Sequence, residues 1–134
     1  MFRTLLAVVA GFVAGSATNI ALIQLGSAVV PAPDGMDVTS TESVAAMAHL
    51  FEPKHFLFPF LAHAAGTFVG ALIAAWVARE RDGLAAGVIG GLNLMGGIAA
   101  ASMIPAPLWF VAVDLIFAYL PMAWLALKLR RRLA

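Results

Sequence analysis

Two ionisable residues stand inside apolar stretches of this sequence, and they are where its chemistry starts. Asp114 follows Pro107 by seven residues, which is about 10 Å along a helix. His63 follows His55 by eight, about 12 Å by the same rise. An acid at the centre of a membrane helix costs about 2.5–3.5 kcal/mol, so Asp114 should face the protein interior and have a partner. The matched depths make a His63–Asp114 hydrogen bond or ion pair the expected one. Asn19 and Asn93 lie slightly deeper, and the four residues form one expected polar layer, with Thr18, Thr67 and Gln24 at its edges. Such a layer can bind or pass protons, since a buried His–Asp pair titrates readily. It can hold the polar group of a small molecule or lipid. The plainer alternative is a hydrogen-bond network that only orders the helices.

A second constellation is His49-x-x-Glu52-x-x-His55. Two imidazoles and a carboxylate are good ligands for zinc or a similar ion. A di-iron site needs two Glu-x-x-His pairs, and only one is present. Pro53 also breaks helical geometry between the ligands. The favoured reading is an outer-surface polar cluster in which Lys54 snorkels, with a metal site the weaker one. The chain has no cysteine, and it carries no phosphate-binding loop, nucleotide fingerprint or Gly-x-Ser-x-Gly elbow. No cofactor is therefore implied by motif.

The elements that must position these residues are set by composition. Of 134 residues 63% are hydrophobic and 11% charged, with mean hydropathy +0.97. A soluble domain is roughly 45–50% apolar and about 25% charged. These values exclude a soluble domain and a disordered chain, and a net charge of +1 argues against nucleic-acid binding. A membrane helix needs about 20 apolar residues. Four stretches qualify, at about 5–30, 55–78, 84–104 and 108–127, followed by a basic tail at 128–134. The expected fold is an all-α integral membrane bundle of four transmembrane helices in a single domain, 1–134.

Arg3, Arg79, Arg81, Lys128, Arg130, Arg131 and Arg132 lie at the two ends and the second connection, whereas Lys54 is the only base in the other two connections. Basic residues stay on the cytoplasmic side, so both termini are expected inside and the loop 31–54 outside. Trp76 and Trp124 then fall near the inner interface and Trp109 near the outer one. Met1-Phe2-Arg3 resembles a short leader, but the apolar run continues to Val30, beyond the about 7–15 residues of a signal-peptide core. It reads as an uncleaved first helix; cleavage would leave three helices and move the new N-terminus outside.

In the outer loop, Thr39-Ser-Thr-Glu42 fits a capping box with Thr39 as N-cap. It predicts a short amphipathic helix, about 40–51, lying on the membrane surface with Val44, Met47, Leu50 and Phe51 near one side. Pro53 ends it and opens the second span. Pro59 and Pro121 are expected to bend the second and fourth helices.

Pro31-Ala-Pro33 and Pro105-Ala-Pro107 recur 74 residues apart, and at that offset Asn19 falls on Asn93. Trp76 and Trp124 sit in matching Ala-Trp-x-Ala ends. This suggests two parallel helical-hairpin repeats, 1–78 and 83–128, about an axis along the membrane normal. Chance similarity among Ala-rich segments is the alternative. Gly11, Gly15 and Gly26 on the first helix, Gly66-x-x-x-Gly70 on the second and six glycines on the third should allow close backbone packing. Packing within one chain is the plainer outcome and a dimer seam the sharper one. Phe56-Leu-Phe58-Pro-Phe60 reads as packing or lipid-facing surface, with sterol or quinone contact as the sharper alternative.

The stretch His49-Leu-Phe-Glu-Pro-Lys-His-Phe-Leu-Phe-Pro-Phe-Leu-Ala-His63-Ala-Ala-Gly66-Thr-Phe-Val-Gly70, with Pro121-Met-Ala-Trp124-Leu, resembles a group of small uncharacterised bacterial four-helix inner-membrane proteins. The resemblance implies the fold and a bacterial inner membrane, and no activity. The leading expectation is a small binding or transport unit that takes a small molecule, lipid or proton through the polar layer. The lipid bilayer is its first partner and a homo-oligomer the next. An accessory or assembly subunit of a larger membrane complex is the runner-up. An intramembrane enzyme with His63 and Asp114 as acid–base pair comes third.

Overall fold

The computed structural model describes all of residues 1–134. It is entirely helical: α1 (Phe2–Val29), α2 (Thr41–Met47), α3 (Leu57–Ala78), α4 (Asp82–Met103), α5 (Leu108–Phe117) and α6 (Leu120–Leu133). Short 3₁₀ turns at Ala48–Leu50, Pro53–Phe56 and Arg79–Arg81 join some of them. Three helical stretches are long and apolar enough to cross a membrane: Phe2–Val29, Pro53–Met103 and Leu108–Leu133. The middle one turns back at Arg79, whose φ of 57° reverses the chain, and leaves α3 and α4 packed side by side at 22 residues each.

Helix α3 is the centre, in contact with α1, α4 and α6. Its composition explains why. Ala62, Ala64, Gly66, Thr67, Gly70, Ala71, Ala74, Ala75 and Ala78 are all buried, and none has a side chain larger than threonine. Lipid offers leucine as good a neighbour as protein does, so close approach of small residues holds membrane helices together. The α1–α3 crossing is such a close approach. A Cβ on Gly66 would stand 2.9 Å from the Gly15 carbonyl oxygen, and one on Gly70 would stand 2.8 Å from that of Gly11. Nine alanines and Ile89 form one tight core from α1, α3, α4 and α6, at the end of the bundle that carries the arginines.

At that end Asp82 opens α4 and is nearly buried. Its carboxylate accepts Arg130 Nη1 at 2.9 Å and both Nε and Nη2 of Arg131 at 3.0 Å, which ties the start of α4 to the end of α6. The Arg131 side chain, by donating to it, holds the Asp82 carboxyl below the usual carboxylate range. Arg3 Nε donates to the Val77 carbonyl at 2.7 Å and fastens α1 to the same end. Arg130 lies over Trp76 and Lys128 over Trp124.

Three local expectations are corrected. The fourth span is two helices, α5 and α6, because Pro121 lacks an N–H and its ring excludes a carbonyl four residues back. Pro59 sits in the first turn of α3, where no partner for its nitrogen is needed, rather than in its interior. The N-cap of α2 is Ser40 rather than Thr39. The Thr39 hydroxyl is already committed to Asp37 Oδ1 at 2.6 Å, so Ser40 accepts from the Ser43 N–H at 3.2 Å instead.

Candidate functional site

The site begins with Asp114 on α5 and His63 on α3. Each faces inward from its helix, and His63 Nδ1 lies 2.8 Å from Asp114 Oδ1. A third residue completes the arrangement. Tyr119 sits in the break between α5 and α6, and its hydroxyl donates to Asp114 Oδ2 at 2.8 Å and lies 3.0 Å from His63 Nδ1. Tyr119 is 2% exposed. The break that Pro121 imposes therefore has a consequence at the site, since it aims Tyr119 into the bundle. Gly97 of α4 makes room for the ring: a Cβ there would lie 2.6 Å from Tyr119 Cζ.

Hydrogen-bond accounting assigns the donors. A carboxylate only accepts. With Tyr119 O–H given to one oxygen, His63 Nδ1–H is the donor to the other. The side chain of Asp114 is 6% exposed and that of His63 is 27% exposed, so the acid is enclosed and the imidazole is reachable. His63 Nε2 has no hydrogen bond within the protein. Arg130 Nε is the one buried side-chain polar atom without a partner, so His63 Nε2 is open to an adjoining space.

Two cavities adjoin it. The first, of about 320 Å³, lies at the end of the bundle away from the arginines. Its walls are mainly apolar and come from the ends of α1, α3, α4 and α5. Val38, Val44 and Phe51 of the 31–56 segment cover it, Lys54 and His55 stand at its rim, and His63 and Asp114 line its depth. Val44 is the residue by which α2 reaches this cavity. Phe56 is buried against Trp109 and Phe110, while Phe58 lines the cavity and packs on Gly26. The second cavity, of about 430 Å³, lies at mid-helix between α1, α3 and α4. It is more polar, lined by Ser16, Asn19, Thr67 and Asn93, and it shares His63 with the first.

Of the expected layer, His63 and Asp114 are bonded. Asn93 Nδ2 donates to Thr67 Oγ1 at 2.9 Å and forms a separate pair. Asn19 lines the same cavity as Asn93 but makes no side-chain hydrogen bond. The two Pro-Ala-Pro turns also share a cavity, the first, through Ala32 and through Pro105 and Ala106. Thr18 returns its hydroxyl to the Ala14 carbonyl and Gln24 is exposed, so neither edges the layer. At the loop end, His49 Nδ1 faces the Ala46 carbonyl, His55 Nδ1 accepts the Glu52 N–H, and Glu52 pairs with Lys54. Those three side chains do not gather, and no group of three His, Asp or Glu side chains lies at metal-binding spacing.

Tyr119 is absent from the sequence expectation. A signal for it existed: the chain's one tyrosine stands five residues beyond Asp114 and two before a proline. No protein-family model, curated protein or solved structure matches this chain.

Proposed function

We propose that this protein binds a small lipid-like molecule in the first cavity, with the molecule's polar group on His63. The observation that carries the proposal is one partly open, mainly apolar space of about 320 Å³ lined by an imidazole that a buried acid and a tyrosine hold. That volume lies within the roughly 300–1,000 Å³ range of small-molecule sites, which are mostly apolar with a few placed polar groups. The alanine core argues for binding over passage. It fills the arginine end of the bundle with residues of 0–5% exposure, so neither cavity continues through it. The basic residues at that end support a membrane protein with both termini in the cytoplasm and the cavity toward the outer side.

The test is native mass spectrometry of the protein extracted in mild detergent, beside the Ala101→Phe variant. Ala101 lines the cavity, and a phenyl group there would fill part of it. The wild type should carry one small molecule per chain and the variant none. A wild type that is empty in every detergent that preserves its fold would overturn the proposal. Recovery only inside a larger assembly would favour an accessory subunit instead.

A further inference from the structure

The depth and chemistry of the first cavity restrict what its occupant's head can be. We infer that it is an uncharged amphiphile headed by a hydroxyl group, such as a phenol, a quinol or a long-chain alcohol; this rests on the binding reading above. Three observations converge. First, His63 lies about 12 Å along the helix axis from His55, which stands at the rim of the cavity. A phosphate or carboxylate head would have to leave water to reach that depth, and charge in an apolar medium is costly. A hydroxyl or carbonyl head makes the same move at far lower cost.

Second, the charge already present at the floor is negative. Asp114 accepts two hydrogen bonds, from Tyr119 and from His63, and no lysine or arginine lines the floor beside it. Lys54, the one lysine or arginine along the cavity, is at the rim and paired with Glu52 at 3.2 Å. An anionic head would meet repulsion at the floor with no counter-charge. Third, the unbonded atom is Nε2. In the tautomer that places the imidazole proton on Nδ1 toward Asp114, His63 offers Nε2 as a bare lone pair. A hydroxyl satisfies it, whereas an ether or ketone leaves it unpaired. Phe56, Phe58 and Phe110 supply flat apolar wall for the body of the ligand.

The experiment titrates three probes into the full-length protein in nanodiscs: a long-chain 4-alkylphenol, its methyl ether and a fatty carboxylate of equal length. The phenol should bind about tenfold tighter than the ether, as expected for one added hydrogen bond, and tighter than the carboxylate. His63→Asn keeps a donor toward Asp114 and loses Nε2, so it should erase the phenol's advantage. His63→Phe is the second variant, and helical content and melting temperature establish that both fold. Ether or carboxylate binding as tight as the phenol overturns the hydroxyl-head inference and leaves the binding reading standing. A folded wild type that takes none of the three overturns both.

Discussion

The Nδ1 proton of His63 is the smallest feature on which this account turns, because it decides what Nε2 presents to a ligand. Asp114 fixes it, and Tyr119 keeps the second carboxylate oxygen from competing for it. Asp114→Asn removes the charge and replaces one acceptor oxygen with an NH₂ group, so either His63 or Tyr119 meets a donor where it had an acceptor. This variant should fold, lose about 1–3 kcal/mol of stability in a detergent melt, and bind the cavity ligand at least about tenfold more weakly. Gly97→Ala places a methyl against the Tyr119 ring. It should cost about 1–3 kcal/mol in the same melt, as overpacking does. A neutral outcome would mean that the ring is free to move. Asp114 and His63 were legible in the sequence because a charged or titratable group inside an apolar run has to be explained. Tyr119 was not, because a tyrosine in such a run is ordinary until one knows that the helix stops beside it.

At the scale of elements, Pro121 does more than bend a helix. It ends α5, frees Tyr119 from helical geometry and starts α6 with proline in its first turn. Pro121→Ala restores the missing N–H and lets α5 and α6 join. Helix content should rise by a few residues while ligand affinity falls, and the single tyrosine gives one ring signal by which NMR can follow its departure from the site. An unchanged tyrosine signal and unchanged affinity would separate the proline from the site. Arg79 is the opposite case, a non-glycine residue at φ 57° in a sharp reversal. Arg79→Gly should raise stability by about 1 kcal/mol, since an L side chain there strains the backbone. The first three long helices were readable from hydropathy to within a few residues, whereas the fourth is split and continues to Leu133 through the stretch read as a tail. The cap of α2 was misplaced by one residue because two hydroxyls stood side by side, and only the competing bond from Thr39 to Asp37 decides between them. No local pattern reveals that choice.

The whole molecule divides along its length into a closed half and an open half. The closed half is the alanine core with the Asp82–Arg130–Arg131 clamp, and the open half holds both cavities. The clamp predicts an acid limit to stability. Because the Asp82 carboxyl is held below its usual value by Arg131, its contribution is complete above about pH 4 and fades as pH falls through the lowered value. Melting temperature should therefore drop in acid more steeply for the wild type than for Asp82→Asn, which starts lower at neutral pH and has less to lose. Composition pointed to helices long and apolar enough to cross a membrane, but which helix faces meet was hidden, because glycine and alanine occur all round these helices. The division into halves emerges only from three-dimensional packing. The most direct measurement of the central claim is a structure of the wild type in lipid nanodiscs at a resolution that shows non-protein density. Elongated density is expected in the first cavity, reaching hydrogen-bond distance of His63 Nε2. A cavity that is collapsed, or filled by the chain's own 31–56 segment with nothing on His63, would contradict it.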